Sequence, residues 1–137
     1  MEAVIQSLLS GFPVLILHFL VAVAMLAAGI SIYHLITPYH EIQLIRQGNI
    51  AAAISLSGAV LGLGIPLAFC LAASVNALDI LIWGFVTLVI QLACYRIADL
   101  VLKDLPKRIV DGEIGAALWL MSVKLSVAAL NAAVIAG

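Results

Sequence analysis

The chain has 137 residues, of which 66% are hydrophobic and only 9% are charged, and its formal net charge is −1 at pH 7. An average soluble domain is about 45–50% apolar and about 25% charged, and a globule of this size buries only roughly two-thirds of its surface. The apolar excess therefore excludes an ordinary water-soluble fold and indicates that lipid is the solvent. Neither the net charge nor any run of Lys or Arg favours nucleic acid as a partner.

Four apolar stretches each contain about the 20 residues that a helix needs to cross a bilayer. Their predicted bounds are 13–35, 50–71, 79–102 and 114–136. Pro13 is expected to begin the first helix, because proline suits the first helical position, and Pro38 is expected to stop it just beyond its end. The first run is preceded by the acidic Glu2 and by no positive stretch, so it is predicted to be a retained helix, not a cleaved signal peptide. The sequence thus predicts an all-α membrane protein with four transmembrane helices.

Positive charge predicts the orientation of these helices. Arg46, Lys103, Lys107 and Arg108 lie in the first and third connecting loops, whereas the link at 73–76 and both tails contain no Lys or Arg. Cytoplasmic loops carry an excess of Lys and Arg. The two charged loops are therefore predicted to be cytoplasmic, with both termini outside.

The two halves of the chain resemble each other where a loop enters a helix. At a shift of 64 residues, five of the ten positions from 45 to 54 are identical, including Gly48 over Gly112. This similarity predicts two tandem helical hairpins, 1–74 and 75–137, within one membrane domain. Both hairpins run in the same direction, so the repeats are expected to be parallel and related by a pseudo-twofold axis along the membrane normal.

The second predicted helix carries two glycines four residues apart, Gly58 and Gly62, followed by Pro66. Small residues at this spacing let helix backbones approach closely in a membrane. The pair is expected either to pack helices of the same chain or to form a subunit interface, and the sequence leaves both alternatives open. Pro66 is expected to kink the outer third of the helix.

Nine positions form a recognisable set of motifs: Thr37, Pro38, Glu41, Gly48, Asn49, Gly58, Gly62, Pro66 and Trp83. In this combination the chain resembles the domain-of-unknown-function 350 family, small bacterial inner-membrane proteins made of two copies of a two-helix unit. The resemblance implies a multi-pass protein of the bacterial inner membrane and supports the tandem hairpins, but it implies no function. Lys124 departs from the family pattern, which is expected to be small or apolar there.

No catalytic or metal-binding motif is present. The sequence lacks HExxH, a phosphate-binding loop, a GxSxG turn and clustered metal ligands, so no enzyme, metal site or cofactor is predicted. His18, His34 and His40 are expected at different depths of the first hairpin, which argues against a three-histidine site.

Lys124 is the most unfavourable residue for a membrane helix in this chain. Counted from Ile114, it lies about 15 Å into the fourth helix, near mid-bilayer. A central lysine costs roughly 2.5–3.5 kcal/mol on insertion, so it is expected to face protein or a water-filled cavity. Gln91 is predicted at the same depth as an acceptor, and no Asp or Glu is predicted there. Three roles for Lys124 remain open. It could line a polar pathway, it could be a snorkelling or neutral lysine, or it could hold two helices together through a polar contact.

Four other polar residues receive local interpretations. Arg96 and Asp99, three residues apart, are expected to form an ion pair near the cytoplasmic interface. Asn131 is expected to make an interhelical hydrogen bond. His18 is interpreted as a packing or interfacial residue, with a proton relay as the alternative.

Two functional hypotheses follow. The first is a non-enzymatic, homo-oligomeric component of an envelope-associated complex, with loops 39–47 and 103–111 available to a cytoplasmic partner. The alternative is a small oligomeric channel or transporter for an ion or small solute, its pathway lined by Gln91, Lys124 and His18. An intramembrane enzyme is least favoured, because no acid, base and nucleophile converge.

The predicted orientation can be tested with single cysteines and an impermeant maleimide in intact cells, after Cys70 and Cys94 are replaced. Asn76→Cys is expected to be labelled, because it lies outside, whereas Lys107→Cys is expected to react only after the cells are permeabilised. Labelling at 107 but not at 76 would reverse the assignment.

Overall fold

The computed structural model describes residues 1–137 and contains six α-helices joined by short links. The helices are α1 (Glu2–Ile36), α2 (Glu41–Arg46), α3 (Ile50–Ala73), α4 (Ala77–Val101), α5 (Asp104–Val110) and α6 (Ile114–Ala136). Four of them, α1, α3, α4 and α6, are long and apolar enough to cross a membrane. The predicted all-α protein with four spans is confirmed. The two charged loops are not irregular, since each contains a short helix, α2 or α5.

The predicted start of the first helix at Pro13 is wrong. α1 begins at Glu2, runs for 35 residues and contains Pro13 in its interior. Proline deprives only one carbonyl of its helical partner, and apolar residues on both sides continue the helix. At 1.5 Å per residue α1 is about 52 Å long, against a hydrocarbon core of about 30 Å. Residues 1–17 are all exposed, and α1 packs against the bundle through Gly29 and Tyr33 in its second half.

The starts of α3 and α4 are determined by asparagine caps. The side chain of Asn49 accepts a hydrogen bond from the Ala52 amide at 3.0 Å, and that of Asn76 accepts one from the Asp79 amide at 2.9 Å. Each cap satisfies an amide that would otherwise lack a partner in the first turn. Asn49 also donates to the Ile109 carbonyl of α5 at 3.0 Å, which joins the two halves of the chain.

Glycine occupies the same place in both halves because the backbone there is left-handed. Gly48 has φ 87° before α3, and Gly112 has φ 86° before α6, a region that side chains disfavour. The order long helix, short helix, long helix also occurs in both halves. These features are those expected of tandem hairpins, and the division at 74/75 stays a prediction.

α3 is the central helix and packs against α1, α4 and α6. Two apolar clusters hold the bundle together. The first lies between α1, α3 and α4 and contains Tyr33, Ala59, Leu63, Leu67, Leu88, Leu92 and Tyr95. The second lies between α3, α5 and α6 and contains Ala51, Ala52, Leu105, Ile109, Ala116, Ala117 and Leu120. No hydrophobic effect drives helices together in lipid, so their association depends on close packing. The small residues on α3 permit this packing, because they let the helix backbones approach each other.

Both glycines of the second predicted span pack helices of the same chain. A Cβ on Gly62 would overlap the hydroxyl of Tyr95 on α4, and a Cβ on Gly58 would lie 2.5 Å from Cγ of Met121 on α6. Of the two alternatives that the sequence left open, the structure shows intramolecular packing.

Replacing Gly62 with Ala is expected to lower the thermal stability of the detergent-solubilised protein. The new methyl displaces the Tyr95 hydroxyl from its 3.0 Å hydrogen bond to the Ala59 carbonyl. Overpacking of this kind costs about 1–3 kcal/mol. Gly64→Ala is the matched control, because nothing lies within 4 Å of its Cβ position. Equal melting temperatures for the two variants would show that the Gly62 contact is not tight.

Candidate functional site

The ammonium of Lys124 lies inside the bundle, and the residue is only 1% exposed. Its Nζ is 3.8 Å from Oδ1 of Asp99 on α4 and donates a hydrogen bond to the Tyr33 hydroxyl of α1 at 3.3 Å. The rings of Tyr33 and Tyr95 lie 5.0 and 5.1 Å from Nζ, within cation–π range. The predicted inward orientation of Lys124 is what the structure shows, and its partners are a carboxylate and two phenol rings.

Glu41, in the first turn of α2, extends this arrangement. Its side chain is buried, and Oε1 accepts a hydrogen bond from the Tyr33 hydroxyl. Burial raises the pKa of Glu41 above its ordinary value of 4.5, and the Tyr33 hydrogen bond and the charge of Lys124 only partly oppose this. The residues Glu41, Tyr33, Lys124 and Asp99 are called the charged network below; they come from four different helices.

The charged network contains two carboxyl groups and one ammonium. If all three are ionised, the buried network carries a net charge of −1, whereas protonation of one carboxyl leaves it neutral. Oδ1 of Asp99 and Oε2 of Glu41 make no hydrogen bond with the protein. A buried charge without a full set of partners is unfavourable, so the network is suited to bind and release a proton.

Next to Glu41, Tyr39 connects the loop to α3. Its hydroxyl lies 3.0 Å from Oγ of Ser55, which is fully buried. Burial, reinforced by the neighbouring Glu41 carboxyl, raises the pKa of the Tyr39 phenol. Tyr39 is therefore a neutral hydrogen-bonding group at neutral pH.

A second set of buried polar groups continues from Lys124 toward the other end of the bundle. Nε2 of Gln91 donates to the Lys124 carbonyl at 3.3 Å. Nδ2 of Asn131 donates to Oε1 of Gln91 and to the Thr87 carbonyl, both at 3.2 Å. The predicted interhelical hydrogen bond of Asn131 is present. Gln91 lies at the predicted level but contacts the backbone of Lys124, not its ammonium.

The polar chain ends at a cleft between the ends of α3, α4 and α6. The cleft has a volume of about 320 Å³, and Asp79, Trp83, Thr87 and Asn131 are among its lining residues. Polar groups thus follow one another from Glu41 at the α2 end of the bundle to this cleft at the opposite end.

Comparison with known proteins gives the family. Residues 7–135 match the Domain of Unknown Function (DUF350) family. The chain belongs to this family. It is 34% identical over 116 residues to the UPF0719 inner membrane protein YjfL of Escherichia coli (strain K12). The aligned region covers 85% of this chain and 88% of the relative. The same values hold for the protein of that name in Escherichia coli O157:H7. No solved structure matches the chain.

These relatives and the four membrane spans identify this member of the family as a multi-pass inner membrane protein. The family motif residues have separate structural roles. Thr37 donates to the Tyr33 carbonyl at 2.6 Å and ends α1, and Pro66 is buried inside α3. Glu41 is the motif residue that joins the charged network.

One predicted interaction is wrong. Asp99 does not pair locally with Arg96, since Arg96 is exposed while Asp99 is 7% exposed and faces Lys124. The statement that no acid reaches the depth of Lys124 is wrong for the same reason. On backbone counting Asp99 lies eight residues, about 12 Å, from the level of Gln91. Side chains tilt toward the N-terminus of their own helix, so those of the antiparallel α4 and α6 converge and close this gap.

His18 does not join the site. It lies 15 residues before Tyr33 on α1, which places it about 22 Å away along the helix. Of the four residues predicted for a polar pathway or for pins between helices, Gln91, Lys124 and Asn131 are brought together and His18 is not.

A signal in the sequence could have revealed the missing residues. Thr87, Gln91, Tyr95 and Asp99 recur every four residues along α4, and all four are buried. This spacing places polar groups in a row on one face of a helix. Tyr33 and Glu41 had no comparable signal, because only the turn between α1 and α2 brings them together.

Removal of Lys124 should destabilise the protein through Asp99. Lys124→Met leaves the Asp99 carboxylate buried without its partner, which is expected to cost about 3–5 kcal/mol, and the double variant with Asp99→Asn should recover most of this. The measurement is the temperature of half-maximal loss of the monodisperse detergent particle. Lys107→Met, at an exposed position, is the control. A double variant no more stable than Lys124→Met would exclude this pairing.

Glu41 should make stability depend on pH. Its pKa is raised in the folded state, so between pH 4.5 and that raised value the folded protein holds a proton that the unfolded chain releases. The free energy of unfolding therefore falls as pH rises through this window. Glu41→Gln cannot ionise, so its stability relative to the parent protein is expected to increase from pH 5 to pH 8. Glu2→Gln, exposed at the start of α1, should follow the parent curve. Parallel curves for Glu41→Gln and the parent would refute the assignment.

Proposed function

We propose that this protein is a non-enzymatic transporter or channel that moves a small ion or solute across the inner membrane, with the charged network taking up and releasing a proton. The observation that carries this proposal is the continuous series of buried polar groups from Glu41 to the cleft. Ionisable residues within membrane helices are rare and commonly mark ion pathways or proton relays. Two such residues, Lys124 and Asp99, lie 3.8 Å apart in this bundle, and the buried Glu41 of α2 is joined to Lys124 through Tyr33. This grouping favours a functional role over chance tolerance.

The hydrogen bonds of the charged network support a direct proton step. Nζ of Lys124 donates to the Tyr33 hydroxyl, and that hydroxyl donates to Glu41. When the ammonium gives its proton to the Tyr33 oxygen, the phenol proton can pass to the Glu41 carboxylate. The products are a neutral amine, an unchanged phenol and a carboxylic acid, so charge and protons balance. Asp99 remains beside the amine and favours its reprotonation.

The orientation of the pathway forms part of the proposal. Arg46 and the basic residues of α5 favour a cytoplasmic position for α2 and α5, with both termini outside. In this orientation Glu41 lies at the cytoplasmic end of the route and the cleft at the outer end. The polar groups between them belong to a single protomer, so each subunit of an oligomer would contain its own route.

The second candidate function is a homo-oligomeric component of an envelope-associated complex, and α1 favours it. Along its first turns, Val4, Leu8 and Phe12 lie on one side of the helix and Gln6 and Ser10 on the other. All residues of this two-sided segment are exposed, so it is available to lipid, to a second copy or to another protein. The loops at 39–47 and 103–111 would offer the contact surface for a cytoplasmic partner.

Proton movement is tested in reconstituted vesicles that contain a trapped pH-sensitive dye, with a potassium diffusion potential as the driving force. The parent protein is expected to acidify the lumen above the rate of protein-free vesicles. Lys124→Met and Glu41→Gln should each lower this rate tenfold or more, because each interrupts the proton step. Lys107→Met keeps the length of an exposed lysine and removes its charge, and it should retain the parent rate.

The outcomes separate the two candidates. Equal rates for the parent protein and the two network variants would contradict transport through the network. A rate no higher than that of empty vesicles would have the same consequence, and the structural role in an oligomeric complex would then be favoured.

A further inference from the structure

The cleft between α3, α4 and α6 is a separate feature at the end of the polar route. Its volume of about 320 Å³ lies at the lower end of the range of small-molecule sites, roughly 300–1,000 Å³. Its walls are mostly apolar, and Val86, Ile90 and Val134 contribute to them. A few polar groups in an otherwise apolar cleft are the arrangement that orients a small ligand.

Asp79 supplies the single charge of the cleft. Its Oδ2 accepts a hydrogen bond from the Val75 amide at 3.1 Å, and its other carboxylate oxygen makes no hydrogen bond with the protein. No Lys, Arg or His lines the cleft. The cleft therefore selects for one positive charge and disfavours anions.

Thr87 provides an independent indication of a ligand. The residue is 1% exposed and lines the cleft, yet its Oγ1 has no hydrogen-bond partner. The hydroxyls of Ser57, Ser122 and Ser126 in the membrane helices bond back to the carbonyl four residues earlier at 2.7–2.8 Å. A buried hydroxyl that lacks this bond is unfavourable unless another group satisfies it.

Trp83 completes the set of groups. Its indole is half-exposed and lines the same cleft as Asp79, four residues earlier on α4. A cation is attracted to the face of an indole, and a short hydrocarbon chain packs against apolar walls. Carboxylate, hydroxyl, indole and apolar walls together match a primary ammonium group that carries a short alkyl chain.

We propose that this cleft binds a small organic ammonium ion with a single positive charge, held by Asp79 and Thr87 against Trp83. The cleft would be the site where a transported solute enters, so this inference rests on the proposed transport function. Asn131 lines the cleft and contacts Gln91, which contacts Lys124, so the ligand would sit at the end of the chain that leads to the charged network.

Binding is measured with n-butylammonium chloride on the full-length protein in detergent, with Trp119→Phe so that Trp83 is the only tryptophan. A saturable change in Trp83 fluorescence is expected, whereas n-butanol and potassium chloride at equal concentrations should give none. Asp79→Asn is expected to weaken binding tenfold or more. Asp111→Asn, an exposed acid at the other end of the bundle, should bind like the parent.

Thr87 supplies a second test that leaves the helix cap near Asp79 intact. Thr87→Val has nearly the same shape without the hydroxyl and should weaken binding threefold or more, whereas Thr87→Ser should restore it. Unchanged binding in both Asp79→Asn and Thr87→Val would overturn the site. An equal response to potassium chloride or to n-butanol would overturn the ligand class.

The site and the transport function can fail separately. The double variant Lys124→Met/Asp99→Asn, which leaves no unpaired carboxylate, lies outside the cleft and is expected to keep n-butylammonium binding while it loses proton flux. Binding by a protein whose flux does not depend on Lys124 would support the cleft and contradict the transport function. Flux that depends on Lys124, without any n-butylammonium binding, would contradict the cleft and leave the transport function supported.

Discussion

A buried ammonium must have partners within the protein, and this constraint on Lys124 organises the interior of the bundle. In hydrocarbon the ammonium would lose its hydration without compensation. Here Asp99, Tyr33 and Tyr95 surround it and come from two different helices. The same contacts explain why Glu41, on a short helix outside the spans, is drawn into the interior through Tyr33. Charge thus joins four helices that apolar packing alone would hold together less specifically.

The charged network depends in turn on the small residues of α3. Gly62 leaves room for the Tyr95 hydroxyl, which donates to the Ala59 carbonyl, and this contact positions the ring beside Lys124. Gly58 brings α6 close to α3 through Met121. A bulkier α3 would separate α4 from α6 and would lengthen the distance between Asp99 and Lys124. Packing and electrostatics are therefore coupled through one helix.

The buried polar groups also indicate a function, which neither the family nor its relatives provide. A membrane protein of this size does not need three buried ionisable residues to fold, since apolar contacts can hold a bundle together and often do so with equal or greater stability. The groups occur in order from the loop end to the cleft, and Gln91 joins the two parts of the series through the backbone carbonyl of Lys124. Such an order is typical of a route for protons or small ions. The cleft lies at one end of this route, where a solute could enter.

The sequence by itself determined the membrane class and the number of spans, because apolar run length and composition respond directly to the thickness of the bilayer. The family was indicated separately, by the resemblance of the motif residues. It also determined that Lys124 turns inward, since the alternative is costly in any bilayer. Three of the spans were predicted to within two residues. The start of α1 was not, because a proline in a lipid-exposed helix does not have to mark its beginning.

Only the tertiary structure decided which groups meet Lys124. Backbone counting placed Asp99 too far away, whereas the opposite side-chain tilts of the antiparallel α4 and α6 bring the two charges to 3.8 Å. The position of Glu41 required the turn between α1 and α2, and the cleft required the ends of three helices that are distant in the chain. Periodicity gives the face on which a residue lies, but depth and partner depend on how neighbouring helices are offset, which no single segment encodes.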